Sequence, residues 1–280
     1  MGDSMDVTSD HAAQLAEIDD RWAPQPIPRE ELLRGLLDGR IAGPEVSHAF
    51  DNVLRNIGML CDGDPDKQFG LTAVSEAFTP WEVLGLVGTA SGFEPDPEVT
   101  RGPVPVDPEL VLRACEAVGD RFALAAERGE RVILATGHPV GLAHLYIEVG
   151  RLLRGHGVKV ITPYEAVAWK EPGRHHHWEV RYLEGVAMLT DGASMKHTHS
   201  GEPMTRMIAE NRPDLVFADH GFAGGAIEHG VDTVSIADVN DPALLVAKAL
   251  GRTQTVIVMD DNVRPEDYWP CFQAIASRLP

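Results

Sequence analysis

The 280-residue sequence predicts an α/β fold: a layered, mostly parallel sheet flanked by helices, with a helical N-terminal region packed on it. Three observations carry that expectation. From about residue 105 onward, short β-like runs alternate with longer helical patterns, and such alternation builds parallel sheets. RVILATGHP runs into GLAHLYIEVGRLLRGHG through a glycine-rich turn, the opening of a βαβ unit. The first hundred residues, in contrast, carry apolar positions mainly at helical spacing.

Residues 1–28 are polar, end in the proline-rich APQPIP and read as a flexible tail. Residues 29–280 read as one α/β domain, mainly helical over 29–104 and sheet-forming over 105–280. REELLRGLLDGRIAG is a helix with Gly39 and Gly43 as stops, and HAFDNVLRNIGML repeats the pattern through Phe50, Val53, Leu54 and Ile57. FGLTAVSEAFTPWEVLGLVGTASG reads as helices broken at Pro80. FEPDPEVTRGPVPVDP, with five prolines, is a connection. DPELVLRACEAVGDRFALAAERGE then predicts a helix ahead of the RVILA strand, and VKVITP a second strand. WEVRYLEGVAMLTD supplies one or two strands. EPMTRMIAENRP, AGGAIEHG and DPALLVAKALG are helices interleaved with the strands DLVFADHG, DTVSIADVN and QTVIVMDD.

Composition narrows the function. A formal charge of −19 repels nucleic acid and anionic membrane, whose binding rests on Lys and Arg. No run approaches the roughly 20 apolar residues of a membrane span. Cys61, Cys115 and Cys271 are scattered without a CxxC pair, which argues against a disulfide framework or a thiolate zinc site and fits a reducing cytosol. The acidic N-terminus lacks the order of a signal peptide, so a cytoplasmic location is expected.

Ionisable residues gather where strands end, and ligands of open α/β sheets bind outside those carboxyl ends. HTH places His197 and His199 on one side of an extended segment, suited to joint ligation of one ion. ADHG sets Asp219 beside His220, ADVNDP offers Asp238, Asn240 and Asp241, and MDDN offers Asp260 and Asp261. Mixed imidazole and carboxylate donors suit Zn, Mn, Fe or Ni, and carboxylates alone suit Mg or Ca. Each signal has a plainer reading. A single HxH is common, Asp241 before Pro242 fits a helix cap, and Asp260 and Asp261 fit a turn. The convergence at successive strand ends favours a divalent-metal site at His197, His199, Asp219, His220, Asp238 and Asp261.

GHPVG, Gly137 to Gly141, stands where a phosphate-binding turn would, although it is neither a Walker A loop nor GxGxxG. His138 within it is a candidate catalytic residue. Arg40 and Arg55 stand out in an acidic chain as anchors for phosphate, against the alternative of surface ion pairs. The run His175 to His177 reads as a solvated loop.

RIAG, NVLRN, GDPDKQFGL, ATGHPVGL, GVAML with HTHS and EPM, RPDLVFADHGFAG, ADVNDPAL and MDDNV occur here in an order that resembles a family of actinobacterial proteins named simply phosphatase. The resemblance spans residues 29–270 and lies in the ordered set, no single motif being specific. The chain departs from the family pattern at Phe222 and Val239, neither of which removes a charged group. The resemblance implies hydrolysis of the phosphomonoester of a small metabolite, such as a nucleoside or sugar phosphate, in specialised metabolism, and the strand-end cluster makes the expected enzyme a metal-dependent phosphatase. It carries over His138, His220 and Asp241 as catalytic candidates and Asn240 as a substrate contact, beside the metal set above, and the residue reading adds Arg40, Arg55, Gly137 and Gly141 as substrate-binding. DxDxT, Cx5R and RHG signatures are absent, which disfavours the phospho-enzymes that those motifs serve. Two alternatives use the same residues: another metal hydrolase, such as a deacetylase or deaminase, and a non-catalytic binder of a phosphorylated ligand. Apolar helices after Asp107 are compatible with a homo-oligomer.

Overall fold

The computed structural model describes residues 21–170 and 177–280. The N-terminal part holds α1 (Arg29–Asp38), α2 (Phe50–Cys61), the single turn α3 (Pro65–Gln68) and α4 (Pro80–Ser91). Two features start α4 sharply. Thr79 and Glu82 form a reciprocal capping box, and Pro80 occupies the first turn, where its missing N–H costs nothing. Residues 72–78, expected as helix ahead of Pro80, form turns and bends instead.

α5 (Pro108–Arg128) leads into β1 (Arg131–Ala135), followed by α6 (Pro139–Gly155), β2 (Lys159–Val160) and β3 (Trp169–Lys170). β4 (His177–Leu183) and β5 (Val186–Thr190) form a hairpin, and its turn residues Glu184 and Gly185 both have positive φ. That backbone matches the right-handed twist of paired strands. The remaining elements are α7 (Glu202–Glu210), β6 (Leu215–Asp219), α8 (His220–Glu228), β7 (Asp232–Ala237), α9 (Ala243–Ala249), β8 (Thr255–Val258), a 3-10 turn (Pro265–Tyr268) and α10 (Trp269–Ala276).

Among the described residues, eight strands form one sheet in the order β3-β4-β5-β1-β6-β7-β8, with β2 beside the first half of β1 and β5 beside the second. The β1, β5, β6, β7 and β8 neighbours are parallel, and β3 and β4 add an antiparallel edge. From β1 the chain moves first towards β5, then returns to β6 and continues the other way. The strand order therefore reverses between β1 and β6, and crossover helices leaving in opposite directions lie on opposite faces. α6 covers β1 and β5 with α10 beside it, and α5 packs on α10 and β8. α8 covers β6 and β7, with α7 and α9 beside it. Leu134, Val186, Phe217, Val234 and Ile257 are buried between these layers. Strands enclosed on both faces read as unbroken apolar runs, which is why VFA and VIV show no alternation.

Residues 21–28 pack on the body ahead of Arg29. Trp22 is buried against Phe272, and the Gln273 amide donates to the Arg21 and Ala23 carbonyls. Residues 1–20, and with them most of the expected tail, lie outside the described residues.

Candidate functional site

Five parallel strands point their carboxyl ends at one edge, and the loops leaving them carry the polar residues. Thr136 to His138 follow β1, residues 191–200 follow β5, His220 follows β6, Asp238 to Asp241 follow β7, and Asp260 and Asp261 follow β8. Asp219, His220, Asp238, Asp241, Asp260 and Asp261 are all at most 5% exposed, a burial that charged groups tolerate only when partnered.

Glycines make the crowding feasible. A Cβ at Gly221 would strike the backbone of His199 and Ser200, and one at Gly224 would strike the Phe69 carbonyl. These two positions leave α8 bare, so the HTHS segment and the loop after α3 both lie directly on its backbone. HTHS is pinned further by the Thr198 N–H, which donates to the Gly137 carbonyl at 2.9 Å. Buried Thr198 points inward, and His197 and His199 on either side face the cleft.

The hydrogen bonds fix which imidazole nitrogen faces that cleft. His199 Nδ1 lies 2.9 Å from Asp66 Oδ2 and 3.0 Å from the Asp66 carbonyl. His220 Nδ1 lies 2.8 Å from Asp219 Oδ2, and His138 Nδ1 lies 2.8 Å from the Asp261 carbonyl. Each partner only accepts, so each Nδ1 carries the proton and Nε2 is left to receive one or to ligate. His197 and His199 oppose their Nε2 atoms at 2.9 Å. With no cation between them one must donate to the other, whereas around a cation both lone pairs serve.

The donors fall into three overlapping groups, each spanning no more than 4.8 Å: His197, His199 and His220; His220, Asp241 and Asp261; and Asp238, Asp260 and Asp261. Asp241 Oδ2 lies 3.3 Å and Asp261 Oδ2 3.6 Å from His220 Nε2. Asp238 Oδ2 and Asp261 Oδ2 are buried without a hydrogen-bond partner. These orphaned oxygens, together with the imidazole set, fit a divalent cation.

The electrostatics of the cleft divide its groups. Enclosure in the cleft, with His220, His199 and His138 beside it, holds His197 down to about 4, so it is neutral near pH 7 and ready to ligate. Burial, with His220 and Lys67 nearby, lowers His199 against the opposing pull of Asp241 and Asp66. Burial opposes the charge on His220 and is the largest single influence. Bonds to Asp219 and Asp241 and the field of Asp261 nevertheless raise it well above the ordinary value. His138 is also raised, because Asp261 outweighs the cost of burial. Burial, with Asp261, Asp260 and Asp241 nearby, pushes Asp238 well up.

His138, His197, His199, His220, Asn240, Asp241 and Asp261 line a single cleft of about 220 Å³. Asp219 is oriented elsewhere: its Oδ2 accepts from the Gly137 N–H at 2.9 Å and from His220, while Oδ1 has no partner. The GHPVG turn is tightly packed. The Gly137 N–H is taken by Asp219, the His138 N–H donates to Thr136 Oγ1, and a Cβ at Gly141 would strike the Asp261 carbonyl. Asp241 forms no cap on α9, whose N-cap is Pro242. Its carboxylate turns to His220, which draws it below the ordinary value against the opposing effect of burial. Arg40 and Arg55 are exposed, line no part of the cleft and make no ion pair among the described residues.

The cation lining the cleft is Lys67, with 13% of its side chain exposed and Nζ 3.5 Å from Asp66. His48 also lines it, its Nε2 3.4 Å from Asp238 Oδ2. Sequence reasoning singled out neither, nor Asp66. The available signal was GDPDKQFGL, where Asp64 caps a turn opened by Pro65. His175 and His176 lie outside the described residues, and exposed His177 opens β4, 3.7 Å from Glu179. A cavity of about 530 Å³ under Leu86, Leu110, Leu245 and Val256 bears no acid or imidazole, its charged residues being Arg113 and Lys248.

Among the described residues no helix is long and apolar enough to cross a membrane. No solved structure matches the chain. Phosphatase SCO2771 of Streptomyces coelicolor is 38% identical to it over 254 residues, which cover 87% of this chain and 94% of that protein. A family model described as Phosphatase matches residues 27–279. With the match running through every element that builds the cleft, the chain belongs to the Phosphatase family.

Proposed function

We propose that the chain is a metal-dependent phosphatase that hydrolyses the phosphomonoester of a small polar metabolite. The observation that carries this reading is the meeting of His197, His199 and His220 with Asp241 and Asp261 in a cleft that also holds Lys67. His197, His199, His220 and Asp241 would hold a divalent ion such as Zn, Mn, Fe or Ni. When bound, such an ion polarises a phosphoryl oxygen and lowers the pKa of a coordinated water towards ~7.

The protein's own residues do the rest. Asp66 and Asp219 hold His199 and His220 by Nδ1 and so aim Nε2 inward. Lys67 supplies positive charge for the phosphate oxygens, with exposed Arg40 and Arg55 as outer anchors for an approaching anion. Hydrolysis breaks the bond between phosphorus and the ester oxygen, and a proton must reach that oxygen as it leaves. His138 serves as this acid: Asp261 fixes its Nδ1 and raises its affinity for a proton, leaving Nε2 to donate. Asn240 lines the cleft as a candidate substrate contact, its side-chain amide donating to Asn52 and its backbone carbonyl accepting from Asn56. Gly137 and Gly141 serve by close packing.

A second recess of about 480 Å³ shares His199 with the cleft and is lined by Asp66, Ser200, Glu202 and Thr205, with no Phe, Tyr or Trp. Hydroxyls and carboxylates without a stacking surface favour a sugar-like alcohol over a nucleoside. The test is elemental analysis of protein purified without chelator, paired with phosphate release from a panel of sugar phosphates and nucleotides. Bound transition metal with phosphate release supports the reading. A His197→Ala, His199→Ala double variant that kept both metal and turnover would sink it.

A further inference from the structure

The three donor groups cannot all be filled independently. His220 Nδ1 is committed to Asp219, so the ring offers one lone pair, that of Nε2, and one lone pair serves one ion. The two groups that share His220 therefore describe one nitrogen-rich position. The third group, Asp238, Asp260 and Asp261, shares no nitrogen with it. It shares only Asp261, whose two oxygens can be divided between neighbours.

That third group is three carboxylates with exposures of 0, 1 and 4%. Among the described residues, no Lys or Arg lies within ion-pairing distance of any of them. The nearby bases are imidazoles: His48 at 3.4 Å from Asp238, His138 at 3.5 Å from Asp261 and His220 at 3.6 Å from Asp261. Backbone donors satisfy part of the cluster. Asp260 accepts from the Ser47 N–H at 2.6 Å and the Asn262 N–H at 2.9 Å, and Asp238 Oδ1 accepts from the Val239 N–H. Asp238 Oδ2 and Asp261 Oδ2 remain without any donor although their side chains are almost wholly enclosed. Buried carboxylates side by side repel one another and lose hydration, and only protons or a cation can relieve both.

We propose that Asp238, Asp260 and Asp261 form a second, oxygen-only site for a hard divalent cation, Mg or Mn, beside the nitrogen-rich position, with Asp261 common to both. This rests on the metal-dependent reading above and extends it from one ion to two unlike ones. The donor sets sort the ions: imidazole-rich positions favour Zn, Fe or Ni, and all-carboxylate positions favour ions that prefer oxygen. Three carboxylates leave a six-coordinate ion with positions for water or phosphate oxygens, the usual arrangement for Mg. The helical region takes part in building the site. Ser47 orients Asp260 from before α2, and the Asp260 N–H donates to the Ile41 carbonyl at 2.9 Å, which places RIAG against this site.

The experiment is a binding titration of the full chain, stripped by chelator, with Zn and then Mn, read by elemental analysis and by the electron paramagnetic resonance of free Mn. Wild type is expected to hold one Zn that resists a weak chelator and one exchangeable Mn per chain. Asp260→Asn should lose the Mn and keep the Zn, and the His197→Ala, His199→Ala variant should do the reverse. Asp238→Asn, which keeps shape and the Val239 bond, should repeat the Asp260→Asn result with the Ser47 contact intact. A single equivalent of metal in wild type overturns the proposal, as does either Asp variant that still binds both ions. The readings separate cleanly. Two ions without phosphate release would retain this site and remove the phosphatase, and phosphate release by a one-ion protein would do the opposite.

Discussion

His199 Nδ1 sits 2.9 Å from Asp66 Oδ2, so a residue on a single helical turn in the N-terminal region sets the orientation of a ring in the HTH segment. The Asp66 carbonyl shares the same N–H at 3.0 Å, so removing the carboxylate loosens the tether without abolishing it. Such outer partners are worth about 10–100-fold in metal affinity, and the surviving carbonyl places this one near the lower bound. Asp66→Ala should weaken binding at the nitrogen-rich position about tenfold, measured by competition with a chromophoric chelator. Unchanged affinity would show that the carbonyl alone positions the ring.

Lys67 is the phosphate anchor in this reading. A charge-assisted hydrogen bond is worth about 1.5–3 kcal/mol, or roughly 10–100-fold. Lys67→Met should raise KM for a phosphomonoester, and the inhibition constant of inorganic phosphate, by that factor while metal content stays at the wild-type value. If KM holds and only metal is lost, Lys67 supports the loop instead of the substrate.

Gly224 lets the Phe69 carbonyl rest on α8, and Phe69 in turn packs its ring 4.9 Å from His199 and 5.3 Å from His220. The obstacle is backbone, which cannot rotate away as a side chain would. Gly224→Ala should therefore cost about 1–3 kcal/mol in urea denaturation and displace the loop that follows α3 and Lys67. Gly58, where a Cβ meets nothing within 4 Å, is the control: Gly58→Ala should be neutral or stabilising.

Glu228 closes α8 and binds Thr72 and Arg252, which together clamp the far end of that same loop. Burial pushes its carboxyl up, but the bonds from Thr72 and Arg252 prevail and bring it from 4.5 down to about 2. The folded value lies below the unfolded one, so the unfolded chain binds more protons between them. The contribution is whole above about pH 4.5 and disappears as pH falls towards 2. Glu228→Gln should lower stability at pH 7 by about 1 kcal/mol or less, since the pair is partly solvated, with the gap to wild type closing in acid. A gap that persisted at pH 2 would assign the effect to packing.

The strand ends were legible because β-branched runs mark strands and polar residues after them mark loops. His138, His197, His199, His220, Asp241 and Asp261 are thus assigned to one edge by the sequence pattern alone. The partners were not legible. Nothing local in GDPDKQFGL says that Asp66 reaches a segment 133 positions away, because that contact is made where the loop after α3 rests on α8 and not by any periodicity. α10 escaped notice for a related reason: WPCFQAIA is short and apolar on every side, so burial against α5 and α6, more than an amphipathic stripe, makes it a helix. Arg40 and Arg55 drew the eye as cations in an acidic chain, yet charge by itself does not tell a cleft from a surface.

The contacts that finish the cleft join very distant parts of the chain. Ser47 reaches Asp260 across 213 positions and Asn56 reaches Asn240 across 184. Loop closure over such separations is what slows folding, and contacts of this reach form after local helices and hairpins. Function in this protein is accordingly a late reporter of folding: a collapsed intermediate with its sheet complete but its first helices undocked would have a normal helical spectrum and an incomplete cleft. If the cleft holds the proposed ions, recovery of metal binding during refolding should trail recovery of secondary structure, and the lag would time the docking of the N-terminal helices.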